Sequence, residues 1–347
     1  MQGSAGKDVV ATIAVAAILV WALPLMVGTY TLTVLAIYAM LGLSLGLIWG
    51  FGGILCFGQA AFFGLGAYTY AIAAINTGES TLPMILAVLV PCVFAALLGA
   101  MMFYGRLGDV YLGVITLVVT LILFKFINST AGPQYTIGTA RLGGYNGIPG
   151  FPTLNVPGRT DLPIWGDALY YLCAVALLLV YLGVTWLLRS SFGRIAVGVR
   201  ENETRMSLIG YDVRIRKTVM FAVGAAIAGL AGALFANWAA IVTPGLFSLA
   251  QSAEIIIWCI VGGLGTRLGP LLGAAGLGYL KFLLGQQSMI NNTMLMGLIL
   301  VLFVLFLPRG VVPAVVALWR ASVGRPRRRA GRARAMRRNR RGGGADG

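Results

Sequence analysis

The sequence predicts an all-α polytopic membrane protein with about ten transmembrane helices in two inverted five-helix halves. Composition and segmentation point there together. Hydrophobic residues make up 59% of the 347 positions and charged residues 10%, and mean hydropathy is +0.89. A soluble domain has roughly a quarter of its residues charged. The 48 glycines fit the same class, because small residues let membrane helices approach closely where no hydrophobic effect drives them together.

Ten apolar segments follow one another at about 9–28, 32–49, 56–76, 82–104, 109–128, 167–188, 219–241, 253–264, 269–284 and 290–308. The first follows Lys7, is long enough to span and lacks a small-residue cleavage site, so it reads as an uncleaved helix. The eighth is short for a crossing of about 20 residues. It is tilted, continues upstream, or forms one arm of a broken helix with the ninth. Five segments precede residue 129 and five follow residue 166, so the halves must have opposite orientation, the arrangement of inverted-repeat transporters. No internal sequence repeat accompanies it.

Charge supports this topology. With the amino terminus inside, 22 of the 26 basic residues face the cytoplasm: Lys7, Arg106, seven between Arg189 and Lys217, Arg267, Arg309 and eleven from Arg320 to Arg341. That is the positive-inside distribution, and it puts both termini in the cytoplasm. Arg141 and Arg159 fall in an outer loop. Lys125 and Lys281 lie near outer helix ends, within snorkelling reach. Asp109, Asp167 and Glu254 are expected at helix ends, which leaves no ionisable residue near the midplane. Proton-coupled pumps and many ion-coupled carriers require one there. A neutral or zwitterionic solute moved by energy from elsewhere fits better.

The expected organisation is a transmembrane unit over 1–319, with a polar island at 189–217 and an external loop at 129–166, and an Arg-rich cytoplasmic tail at 320–347. The tail is low-complexity and reads as a disordered topology anchor that touches anionic lipid. A nucleic-acid role does not suit such a run on a membrane protein. No histidine is present, which removes the commonest general base and metal ligand. Cys56, Cys92, Cys173 and Cys259 are single and scattered in apolar runs, and read as small core residues. No catalytic or metal-binding constellation is expected, and no enzymatic activity. No G-x-x-x-x-G-K-[ST] frame occurs, so any nucleotide hydrolysis belongs to a separate chain.

The island is too polar for hydrocarbon. Its middle, Arg194 to Ile209, predicts a short helix with Ile195, Val199, Met206 and Ile209 on an apolar face, and with Arg200, Glu201, Glu203 and Arg205 in water. Gly193 and Gly210 mark its boundaries. Two readings stand: docking into a groove on a soluble partner, or lying on lipid headgroups.

The glycines from Gly50 to Gly66 precede and enter the third helix. They permit unwound backbone along a translocation path bordered by Gly58, Gln59 and Tyr68, or simply close packing; irregular backbone at membrane depth needs a cavity or burial in protein. Thr116 and Thr120 sit one turn apart. They line the path, or hydrogen-bond the carbonyls of the preceding turn. The 38-residue loop from Ser129 to Gly166 exceeds an ordinary connection and contains GGYNG (Gly143–Gly147) with Pro149, Pro152, Pro157 and Pro163. It reads as a turn-rich cap, either a landing surface for another protein or a structural lid.

Four stretches carry a resemblance. SSFGRIAVGVRENETRMSLIGYDVRIRKTVMFAVGAAIAGLAGALFA (Ser190–Ala236) is similar to the coupling-loop region of permeases in the branched-chain amino acid group of ABC importers, which includes urea and amide permeases. GGILCFGQAAFFGLGAYTYA (Gly52–Ala71), VYLGVITLVVTL (Val110–Leu121) and SAEIIIWCIVGGLGTRLGPLLGAA (Ser252–Ala275) resemble further motifs of that group. Gln59 stands where those permeases usually have histidine, and Gly198-Val199 where an alanine precedes the R-E-N-E arginine.

The resemblance implies a type II ABC importer-like fold and a permease subunit in the inner (cytoplasmic) membrane. Its partners would be a second, similar permease, two cytoplasmic ATPases that use ATP and Mg, and an external solute-binding protein. This chain itself would bind no cofactor. Gly193, Arg194, Arg200, Glu201, Asn202, Glu203 and Gly210 would form the ATPase-coupling element. On the path reading of the residues above, rather than from the resemblance, Gly58, Gln59, Tyr68, Thr116 and Thr120 would border the path. Gly144, Asn146 and Gly147 would form the external gate or binding-protein contact. The expected solute is a branched-chain amino acid. Urea or a short amide is the alternative, and a secondary transporter or facilitative channel is the alternative of another class.

Overall fold

Long apolar runs have one low-energy solution in hydrocarbon, a helix that satisfies its own backbone groups, and the computed structural model follows that rule. It describes residues 18, 20–156, 159–285, 297, 301 and 310–314. Half of the expected helix at 9–28 and nearly all of the one at 290–308 lie outside the described residues, and the Arg-rich tail lies wholly outside them.

The elements, in order, are α1 (Thr29–Leu45), α2 (Gln59–Thr77), α3 (Thr81–Tyr104), α4 (Asp109–Ser129), α5 (Asp167–Arg189), α6 (Ser191–Glu201), α7 (Glu203–Leu208), α8 (Val213–Ala239), α9 (Leu249–Gly262) and α10 (Gly269–Gly285). A π-helical segment, Gly46–Phe51, extends α1. Five described helices are long and apolar enough to cross a membrane: α1 with its extension, α3, α4, α5 and α8; α9 and α10 are shorter apolar helices. Between α4 and α5 run three small ribbons: β1 (Thr136–Ile137) pairs with β2 (Ala140–Arg141), β4 (Asn155–Val156) with β5 (Arg159–Pro163), and β3 (Ile148–Pro149) with β6 (Ile241–Val242), which follows α8.

The ribbons mark one end of the molecule, the loop face, and α6 and α7 mark the other, the island face. Asn76 at the end of α2 binds Ile137 and Thr139, and Ser80 at the start of α3 binds Asn155. At the opposite end, Arg200 of α6 donates to the Gly50 carbonyl, and the Arg214 guanidinium lies 5.5 Å from the Tyr104 ring centre. α1, α3, α5 and α9 therefore run from loop face to island face, and α2, α4, α8 and α10 run back. Packing repeats this inversion. α8 packs between α2 and α3, while α1 packs against α9 and α10. Glycines make both seams close: a Cβ on Gly66 of α2 would lie 2.2 Å from the Gly229 carbonyl of α8, and one on Gly46 2.5 Å from Pro270 of α10. α1 is buried almost throughout and α8 largely so, whereas α3, α4 and α5 are mostly exposed and apolar. The core is thus the α1–α8 pair with its flanking helices. Cys56, Cys173 and Cys259 are buried in it, as read from sequence.

Two expectations are corrected. The island is two helices, not one over Arg194–Ile209: α6 begins earlier, at Ser191, so that Gly193 lies within it, and Asn202 breaks the chain with φ −158° and ψ 97°. The Asn202 carboxamide oxygen accepts from Arg205 N at 2.8 Å, so the residue caps α7 better than it continues α6. Second, Glu254 is not at a helix end. The short eighth segment does continue upstream, because Ser248 Oγ accepts from Gln251 N and starts α9 at Leu249. Glu254 therefore lies in the second turn, where both of its oxygens accept from Lys281 Nζ of α10 (2.7 and 2.8 Å).

Candidate functional site

The island is anchored from below and open above. Gly193 packs so closely on the α5–α6 corner that a Cβ would lie 2.3 Å from the Leu187 carbonyl. Gly193, Ala196 and Val199 form the buried side of α6. α7 buries none of its residues. Arg194 turns back to the corner, with Nη1 donating to the Arg189 carbonyl (2.6 Å) and Nη2 reaching Ser191 Oγ. Lys217, almost wholly buried, pairs with Glu203 and ties α7 to α8. Gly210 turns the chain at φ +98°, a region open to glycine without strain.

Ile195 and Met206, expected on one apolar face, line an open groove of about 420 Å³ with Ser191, Arg194, Gly198 and Tyr211. Val199 faces inward, and Ile209 is exposed beside Leu208. Glu201, Asn202 and Glu203 are exposed on the turn.

Arg200 does more than stay wet. Its guanidinium binds the Gly50 carbonyl in the π-helical extension of α1. Its stem covers Gly53 (φ +69°), where a Cβ would lie 2.8 Å from Arg200 Cγ, and its Nη1 approaches Gly265. One side chain therefore joins the island to the turn between α1 and α2 and to the turn between α9 and α10.

From Gly53 the chain re-enters the molecule before α2 begins. Phe57 N donates to Thr116 Oγ1 at 3.1 Å. Gly58 passes so near α4 that a Cβ would lie 2.4 Å from the Thr116 carbonyl. Thr116 is seven residues, about 10 Å of helix, inside α4. Gly58, Gln59 and Thr116 thus meet at one place, with Thr120 one turn further along. Their polar groups are used within the chain. Gln59 Nε2 donates to Ser44 Oγ (2.7 Å) and its oxygen accepts from Cys56 Sγ. Thr116 Oγ1 donates to the Gly113 carbonyl (2.9 Å) and Thr120 Oγ1 to the Thr116 carbonyl (2.8 Å). Of the two readings of the threonines, carbonyl bonding is the one seen.

Tyr68 stands apart, nine residues and about 14 Å along α2. Its hydroxyl is buried without a partner among the described residues, and its ring lies 5.5 Å from that of Phe247. Phe247 belongs to a second re-entrant stretch, entering from the loop face before α9, and covers Gly64 of α2. The two broken-helix entries, before α2 and before α9, are counterparts under the inversion.

On the loop face, Gly144 packs on Ala131, and a Cβ on Gly147 would lie 2.1 Å from the Val242 carbonyl; both are buried and shape the turn. Asn146 is exposed, and so is Tyr145, which presents 79% of its surface. Leu154 N donates to Asn237 of α8 and Tyr70 of α2 donates to the Pro152 carbonyl, so the loop is fastened to both halves.

Sequence reasoning missed Ser44, Phe247, Tyr145 and the Glu254–Lys281 pair. The available signal for the pair was Ser248 with Gln251 three residues later, a serine cap that starts α9 well before Glu254.

Comparison with known proteins identifies the family. The family described as the permease component of branched-chain amino acid transport systems matches residues 27–307. The high-affinity branched-chain amino acid transport system permease protein LivM of Escherichia coli is 32% identical over 322 residues, covering 85% of this chain and 73% of its own. Its Salmonella typhimurium counterpart is 31% identical over 305 residues (81% and 69%). A probable branched-chain amino acid transport permease LivM of Methanocaldococcus jannaschii is 24% identical over 323 residues (80% and 90%). No solved structure matches significantly. With the family match running from the start of α1 beyond α10, the chain belongs to the family of permease components of branched-chain amino acid transport systems.

Proposed function

We propose that this chain is the membrane-spanning subunit of an ATP-driven importer of branched-chain amino acids. The island face is cytoplasmic, with both termini on that side, and the loop face meets an external solute-binding protein. A second, similar permease completes the pathway, and two ATPases supply the energy from ATP and Mg. The chain binds no cofactor and catalyses no reaction. Residues 1–319 form the permease unit, and the Arg-rich tail rests on anionic lipid.

The observation that carries this reading is the seat of Arg200. A partner that pushes on α6 and α7 moves the turns on both sides of Arg200 together. Each turn leads into one of the two inverted halves. The exposed Glu201–Asn202–Glu203 turn, the groove between α6 and α7, and exposed Leu208 and Ile209 are the surface that receives the push. The substrate follows from the relatives' names and from the family.

The test is leucine uptake into proteoliposomes containing both permeases, both ATPases and the binding protein. Uptake should require ATP. Glu201→Arg should abolish stimulation of ATPase activity by the loaded binding protein while insertion stays intact. Uptake that continues without the ATPases would establish a facilitator instead. Uptake of urea or a short amide in place of leucine would reassign the substrate.

A further inference from the structure

The Glu254–Lys281 pair is a costly object at an unexpected depth. Glu254 is eight residues, about 12 Å, from the island-face end of α9. Lys281 is twelve residues, about 18 Å, from the same end of α10, and its side chain leans back toward that end. The charges therefore meet near the middle of a hydrocarbon core about 30 Å thick, which overturns the expectation from sequence that no ionisable residue lies there. Lys281 lies on the side of α10 that carries Pro270 and Ala274 against α1, not on its outer face. The pair is partly accessible, at 31% for Lys281 and 16% for Glu254. Helix packing alone does not explain it, because an apolar contact would join α9 and α10 without desolvating two ions.

The same stripe of α9 holds two more anomalies. Gln251 is one turn before Glu254 and Trp258 one turn after it, at helical spacings of three and four. Gln251 Nε2 and Trp258 Nε1 are both buried, and both lack an acceptor among the described residues. Trp258 is fully buried, its ring 4.8 Å from that of Tyr38 in α1. Buried donors nearly always find partners. Here two unpartnered N–H donors share a helix stripe with a carboxylate that Lys281 already holds, so the stripe is short of acceptors.

We infer that this stripe is a relay point for a zwitterion inside the membrane: Lys281, Gln251 and Trp258 take the solute's carboxylate, and Glu254 takes its ammonium. A zwitterion offers the missing acceptors and replaces each half of the ion pair with an equal charge. The pair can then open without leaving an ion unpaired. A neutral solute cannot do this, so the stripe discriminates amino acids from urea and amides. The inference rests on the amino-acid reading above and deepens it.

Leucine uptake by the complete reconstituted importer tests it. Glu254→Gln/Lys281→Met removes both charges together and leaves no ion buried alone. Its uptake should fall roughly tenfold or more, as expected for loss of a buried charge contact, with assembly and basal ATPase activity unchanged. Uptake within about twofold of wild type, less than a kcal/mol in the barrier, would overturn the inference and leave the pair as a helix latch. Should the double variant fail to assemble, Trp258→Phe decides. It removes an N–H that bonds nothing among the described residues, so thermal stability should hold while uptake drops; unchanged uptake would overturn the inference. If the wild-type importer carries no leucine, the substrate reading fails and takes the inference with it.

Discussion

Gln59 is held by its own chain: it spans Ser44 of α1 and Cys56 of the re-entrant stretch, and only 1% of its surface is exposed. Replacing it with leucine should destabilise the detergent-solubilised protein by about 1–2 kcal/mol, because Ser44 loses a buried partner. Adding Ser44→Ala should recover part of that loss, since both polar partners are then gone. Thermal unfolding of the two single variants and the double variant measures the coupling, and strictly additive losses would show that the Gln59–Ser44 bond contributes nothing. Gly66→Ala should cost about 1–3 kcal/mol by overpacking, since its new Cβ would meet the Gly229 carbonyl at 2.2 Å. The same unfolding assay reads it. Which residues carry polar chemistry was legible at this scale. What they bond was not: Gln59, Thr116 and Arg200 find partners 15, 59 and 150 residues away, and local spacing holds no record of such closures.

Among the elements, the joint between α6 and α7 is held by few groups. α6 has a buried side on the α5 corner, whereas α7 buries nothing and depends on the Asn202 cap and the Lys217–Glu203 pair. Asn202→Ala should therefore cost about 1 kcal/mol of α7 stability. Hydrogen exchange at residues 204–208 should accelerate while α6 stays protected. Stimulation of ATPase activity by the binding protein should fall in parallel, because a frayed α7 transmits less of the push. Faster exchange with full stimulation would confine coupling to α6. The long helices were legible because an apolar run of about 20 residues has no alternative structure in a membrane. The break at Asn202 and the early start of α9 were not, because both depend on side-chain caps within otherwise helix-compatible sequence. The consequence was the misplacement of Glu254, since a segment drawn from hydropathy alone begins where the polar residues stop.

At the scale of the whole molecule, the inverted halves were legible from span parity without any internal repeat, and the packing of α1 on α9 and α10 against that of α8 on α2 and α3 bears this out. The loop that closes one face was legible only as a turn-rich cap. Its β3 strand pairs with β6, so Ile148 faces Val242 and Pro149 faces Ile241 across the seam between the first-half loop and the second-half re-entrant turn. Both Ile148 and Val242 are buried. If import opens the loop face by parting the halves, this seam must separate in every cycle. Facing residues of an antiparallel pair have Cα atoms roughly 4.5–5.5 Å apart, within the span a disulfide tolerates. Ile148→Cys/Val242→Cys should therefore oxidise readily, and the oxidised importer should lose leucine uptake while keeping ATPase activity without the binding protein. Reductant should restore uptake. Full transport in the oxidised form would show that the two halves stay joined at this seam and that the solute enters elsewhere, through the exposed surface around Tyr145 and Asn146.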